Sequence, residues 1–135
     1  LSVVVVDYLG LLALPQTRTA TTAQQLQQAA QTLKVLAGEL RTPVILCAQL
    51  NREVFHRPVK RPMLSDVREA GEAPADQVIV VMRPELFDPT DQPGMATLHL
   101  IKNRHGAPGD VPVAYDGPRF RFRNPPARYT GLEGY

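Results

Sequence analysis

Four consecutive valines, Val3 to Val6, run directly into Asp7. A short apolar run so rich in β-branched residues predicts a strand buried on both faces, as in the middle of a parallel sheet. An ionisable side chain at the carboxyl end of such a strand is unusual, because burying a charge without a partner is costly. In open α/β sheets, ligands sit just beyond the carboxyl ends of the strands. Asp7 therefore has two readings: a group that meets a ligand there, or a turn aspartate that bonds to its own backbone.

The residues that follow extend the pattern. Thr21 or Thr22 offers a helix N-cap. From there Leu26, Ala29, Ala30, Leu33, Leu36, Ala37 and Leu40 recur at helical spacing. This predicts an amphipathic helix over 22–40, about five turns long. Thr42-Pro43 ends it, and 44–48 reads as a second buried strand. Strand, helix, strand is a βαβ unit with parallel strands. The second strand runs into Gln49-Leu50-Asn51-Arg52, which places Gln49 beside Asp7 on the ligand edge of the sheet. Gln49 could hold a water or a phosphate oxygen there, or simply bond to backbone at a strand end.

Residues 51–75 show no clear period and carry three prolines. They predict a long loop with one short helix near 65–69, capped by Ser65-Asp66. A loop this long inside a compact domain is usually functional. A third buried strand is expected over 78–82, an acidic, proline-punctuated loop over 84–94, and a fourth strand over 96–102. A turn over 104–109 leads to a fifth strand over 111–115. Asp116-Gly117 is a hairpin signal, and Arg119-Phe120-Arg121-Phe122-Arg123 alternates as an edge strand with one apolar face. The tail 124–135 reads as loose. The fold class is thus α/β, with parallel strands followed by antiparallel hairpins.

Charge and composition narrow the function. The net charge of +2 is too small to argue for nucleic acid. Its distribution is uneven: Arg52, Arg57, Lys60 and Arg61 form a basic loop with the single acid Glu53, and residues 64–95 are acidic. The basic run has no interleaved aromatics, so base stacking is not indicated there. A single cysteine, Cys47, excludes an internal disulfide framework, fits a reducing compartment, and reads as a buried thiol. No apolar run reaches membrane-spanning length, and no signal peptide is present. The first residue is Leu, and a strand begins almost at once; the expectation is a piece of a longer fold.

Four segments in order carry a resemblance. Val5-Val6-Asp7-Tyr8-Leu9 looks like a Walker B strand. Gln49-Leu50-Asn51-Arg52 looks like the sensor motif that follows the next strand. Lys60-Arg61-Pro62, with Ser65-Asp66-Val67-Arg68-Glu69 and Gly71, resembles a loop facing single-stranded DNA. Lys102-Asn103-Arg104, with Gly106 and Gly109, resembles a hairpin that reaches a neighbouring subunit's nucleotide. Together they resemble the carboxyl-terminal half of the motor domain of bacterial replicative DNA helicases of the DnaB type, over residues 1–123.

The resemblance implies a partial RecA-like P-loop NTPase core using ATP and Mg²⁺. It implies single-stranded DNA as track and identical subunits in a ring, most commonly a hexamer. It further implies a primase or helicase loader as partner, and a cytoplasmic protein. By the same resemblance Asp7 would contact Mg²⁺, Gln49 would sense the γ-phosphate, and Arg104 would be an arginine finger supplied in trans with Lys102 beside it. Arg68, Glu69 and Gly71 would line the DNA channel. The chain also departs from the family. The phosphate loop G-x-x-x-x-G-K-[ST] is absent: the three lysines, at 34, 60 and 102, follow Leu33, Val59 and Ile101. Gly10 stands where the family usually has Gln, and Pro74 interrupts a shortened acidic stretch. The chain alone is therefore expected not to hydrolyse ATP. A non-catalytic DNA-binding or protein-interaction module derived from such a helicase is the alternative.

Overall fold

The computed structural model describes residues 2–8, 21–67 and 73–127, apart from the side chains of residues 22 and 23. The chain forms two compact units, Leu1–Ala75 and Asp76–Tyr135.

In the first unit, β1 (Val4–Val6) pairs in parallel with β2 (Val44–Leu46), with Val4 opposite Val44 and Val6 opposite Leu46. The connection is α1 (Thr22–Leu40). The helix starts where a capping box can form. The Gln24 amide donates to Thr21 Oγ1 at 3.3 Å, and the Thr21 amide donates back to Gln24 Oε1 at 2.9 Å. It stops at Arg41, which adopts a left-handed conformation with φ 48°. There the Arg41 amide donates to Gly38 O at 3.2 Å and the Thr42 amide to Ala37 O at 3.1 Å, satisfying the last carbonyls. Leu26 and Ala30 are buried with Ala29, Leu33 and Leu46 packed against them. Each fully buried leucine contributes about 2 kcal/mol, so this stripe fixes which face of α1 meets the strand pair.

The expectation of strands buried on both faces fails here. Val5 and Ile45 are exposed. Among the described residues, a single helix packs against the strand pair, and a valine run cannot tell one covered face from two. Cys47 is a free thiol and only half-buried.

The second unit is an antiparallel sheet in the order β3-β4-β5-β6, formed by Gln77–Met82, Met95–Asn103, Gly109–Asp116 and Arg121–Arg123. Val78, Val80 and Met82 face inward with Met95 and Ala96, while Ile79 and Val81 face out. The expectation of burial on both faces therefore fails for β3 as well; it alternates, as an antiparallel strand with one covered face does. The register slips between Val78 and Ile79, a bulge that re-aims the end of β3 against Lys102 and Asn103. β6 is the edge strand expected, and Phe122 leans on Tyr115 with ring centroids 5.1 Å apart. No helix among the described residues is long and apolar enough to cross a membrane.

Candidate nucleotide and DNA-facing site

Parallel pairing brings Asp7 and Gln49 to the same end of the first unit's sheet. The Cys47 amide donates to Val6 O at 2.9 Å, the last rung of the β1–β2 ladder. Asp7 is the next residue after that rung on one strand, and Gln49 lies two beyond it on the other. Both are exposed. The Asp7–Tyr8 peptide is cis. An exposed carboxylate and amide past the carboxyl ends of adjacent parallel strands can offer oxygen and N–H groups to a phosphate and its cation. Among the described residues, no group of three or more His, Cys, Asp or Glu could hold a metal by itself. Asp7 thus fits a shell in which phosphate oxygens and waters supply the remaining ligands, which is how Mg²⁺ is usually held.

The segment after Gln49 is more ordered than its composition predicts. Leu50 forms an antiparallel bridge with Val67, and the Asn51 amide donates to Asp66 O at 2.6 Å. Between these ends the chain makes two tight helical turns, Arg52–His56 and Leu64–Asp66. Asn51 caps the first, its Oδ1 accepting from the Glu53 amide at 3.2 Å. The short helix expected near 65–69 with a Ser65-Asp66 cap is instead the turn Leu64–Asp66. Asp66 closes it from its third position, accepting the Met63 amide at 2.7 Å. Its side chain is 3% exposed and is paired with Arg57. Lys60 Nζ donates to Phe55 O at 3.0 Å and to Arg57 O at 3.1 Å. Two of the four cations of the basic loop are therefore turned onto the loop itself. Nothing in the sequence period announced this. Arg68, Glu69 and Gly71, the residues expected to face DNA, lie outside the described residues, as does Gly10.

Lys102 and Arg104 belong to the second unit, at the β4–β5 turn. Lys102 is half-buried opposite Val78. Arg104 is exposed and tied twice to Asp76: its amide donates to Asp76 O at 2.9 Å and its guanidinium to Asp76 Oδ1 at 3.0 Å. Asn103 holds the turn. Its Nδ2 donates to Ala107 O at 3.2 Å, and its Oδ1 accepts from Gln77 Nε2 at 3.3 Å and the His105 amide at 3.4 Å. Sequence reasoning missed Asp76. The signal was available in the register, because the residue before β3 must lie opposite the residue after β4.

The family model for the DnaB-like helicase C terminal domain matches residues 1–124. The chain belongs to that family. It is 38% identical over 127 residues to the replicative DNA helicase DnaB of Buchnera aphidicola subsp. Acyrthosiphon pisum (strain APS), covering 92% of this chain and 28% of that protein. It is 42% identical over 127 residues to the replicative DNA helicase DnaB of Mycobacterium leprae (strain TN), covering 92% of this chain and 21% of that protein. The chain thus spans about a quarter of the length of these curated relatives. Among solved structures, an isolated ATPase domain superposes with a TM-score of 0.85 at 33% identity, over 92% of this chain and 44% of the other. A DnaB-like replicative helicase, described with its interactions with primase, superposes with a TM-score of 0.82 at 34% identity, over 89% of this chain and 29% of the other. The parallel pair followed by antiparallel strands is accordingly a partial RecA-like fold, as the resemblance implied.

Proposed function

We propose that this chain is the carboxyl-terminal part, over 1–123, of the motor domain of a replicative DNA helicase, with 124–135 as a tail. In the assembled protein, ATP hydrolysis would drive translocation along single-stranded DNA and unwinding of the duplex. The observation that carries this reading is the placement of Asp7 and Gln49 side by side past two parallel strands, in a chain of this family. Asp7 would hold Mg²⁺, which neutralises charge on the phosphate oxygens when bound. Gln49 would hydrogen-bond the γ-phosphate or the attacking water. Arg104, with Lys102, would reach the nucleotide of the next subunit in a ring, most simply a hexamer. A trans arginine meeting phosphoryl charge is worth orders of magnitude in rate. Arg68, Glu69 and Gly71 would follow the DNA strand through backbone and charge contacts without reading sequence. A primase or loader would be the outside partner, as primase is for the related helicase.

The absence of any Gly-Lys pair favours one qualification. The 135 residues alone would not hydrolyse ATP, since the lysine-bearing phosphate cradle is not among them. The same absence supports the second reading, a non-catalytic DNA-binding or interaction module.

Titration of a fluorescent ATP analogue with Mg²⁺ against this chain, with and without single-stranded DNA, tests the proposal. The expected result is no tight nucleotide binding, with DNA binding lost on Arg68→Ala. Tight, Mg²⁺-dependent binding abolished by Asp7→Asn would mean that the phosphate site is built without the glycine-lysine cradle. Absence of DNA binding as well would overturn the assignment of 68–71.

A further inference from the structure

The 50–67 excursion is closed by one buried carboxylate. Asp66 accepts from Arg57 and from the Met63 amide with its two oxygens, and its backbone carbonyl accepts from Asn51. All three partners belong to the same excursion, and Asp66 meets them while 2% exposed. Beneath this knot, Val54 is fully buried and Pro62 is buried. The outcome is mechanical. Leu50 and Val67 are paired, so the chain leaves the excursion one residue away from where Gln49 entered it. An uncompensated buried charge is costly, so removal of Arg57 disrupts the knot rather than merely trimming it.

We infer that Asp66, held by Arg57, is a positioning residue: it fixes the point beside Gln49 from which the segment after Val67 departs toward DNA. This rests on the reading of 68–71 as DNA-facing. It also reassigns Arg57. A cation in a basic loop of a DNA motor is ordinarily a phosphate contact, whereas here the guanidinium is committed to Asp66, and Lys60 to two carbonyls of the same loop. The basic run therefore shapes the platform, and DNA contact falls to the residues beyond Val67.

The two roles of Arg57 make opposite predictions for Asp66, which makes the inference testable on this chain. Arg57→Gln, Asp66→Asn, the double variant and Arg57→Lys are compared, with circular dichroism of α1 confirming that the first unit stays folded. Two quantities are read: amide hydrogen exchange at Asn51 and Met63, and affinity for a labelled oligothymidylate as a function of salt. The expected result is that Arg57→Gln and Asp66→Asn each accelerate exchange and each weaken DNA binding about tenfold. The slope of affinity against salt should stay unchanged, the double variant should be no worse than either single one, and Arg57→Lys should retain most of the function. A salt slope lowered by about one in Arg57→Gln, with tighter binding in Asp66→Asn, would make Arg57 a phosphate contact and overturn the inference. Unchanged exchange in Asp66→Asn would overturn it as well. If DNA binding by the unsubstituted chain ignores Arg68→Ala, the DNA-facing reading fails and this role falls with it. That failure is recognisable because the exchange effect of Asp66→Asn would persist.

Discussion

Arg104 and Asp76 are joined at two levels, backbone amide to carbonyl at 2.9 Å and guanidinium to carboxylate at 3.0 Å. The backbone bond sets where the β4–β5 turn begins. The side-chain pair sets where the guanidinium rests. Arg104 is 48% exposed and Asp76 37%, and a pair this open is worth about 0–1 kcal/mol. It can therefore be exchanged for a phosphate, which charge-assisted bonding to Arg favours. Asp76→Asn should change the stability of the second unit by less than about 1 kcal/mol in denaturant titration. In an assembled ring, Arg104→Ala should lower steady-state ATPase by about a thousandfold or more, and Asp76→Asn far less. Equal losses in the two variants would make Asp76 part of the chemistry rather than a resting place.

Some of this was legible in the sequence. Thr21 followed three residues later by Gln24, then Leu26, Ala30 and Leu33, specifies α1 by local chemistry alone. Asp7 and Gln49 could be placed because a strand's end needs only the strand. The exposed faces at Val5 and Ile79 could not, since a run of β-branched residues carries no alternation to reveal which side is covered. The Arg57–Asp66 clamp was equally hidden. Its partners are nine residues apart in a stretch without period, and nothing but the folded path brings them together. The roles of Asp7, Gln49, Lys102 and Arg104 rest on resemblance, because strand ends and turns in many proteins carry the same residue types.

The two ends of α1 should respond to substitution with opposite signs. Thr21→Ala removes the acceptor for the Gln24 amide and should cost about 1 kcal/mol. Arg41 holds φ 48°, a conformation that burdens a side chain and not glycine. Arg41→Gly should therefore raise stability by up to about 1 kcal/mol. Thermal melts followed at the helical circular-dichroism band check both. A loss on Arg41→Gly would show that the arginine side chain contributes more than its backbone strain removes.

Acid should loosen the 83–94 loop of the second unit. The Gly94 amide, first, and the Arg83 guanidinium, second, hold the Glu85 carboxyl below its ordinary value. The Thr90 hydroxyl and amide do the same for Asp88. A carboxyl depressed in the folded state contributes stability that is complete above its unfolded value and is lost as the pH falls through the folded one. The loop should thus be indifferent to pH above the carboxylate range and weaken below it. Arg83 also lies 4.0 Å over the Tyr115 ring, so tyrosine fluorescence reports the loosening. Glu85→Gln should flatten that acid limb, and a limb left intact by the substitution would assign it to other groups.

Gly106 matters to the β4–β5 turn through space rather than through backbone freedom. A Cβ there would meet Asn103 Nδ2 at 3.0 Å, closer than a side chain tolerates without its neighbour moving. Asn103 can move only by weakening the bonds it makes to Ala107, Gln77 and His105. Those bonds hold the turn that carries Arg104. Gly106→Ala should cost about 1 kcal/mol, the net contribution of one such bond, and should speed amide exchange at His105. The decisive comparison is a double-mutant cycle with Asn103→Ala. Once the amide side chain is gone, the added methyl meets open space and Gly106→Ala should cost nothing further. An undiminished cost in the Asn103→Ala background would mean that the close approach is not the reason for glycine at this position.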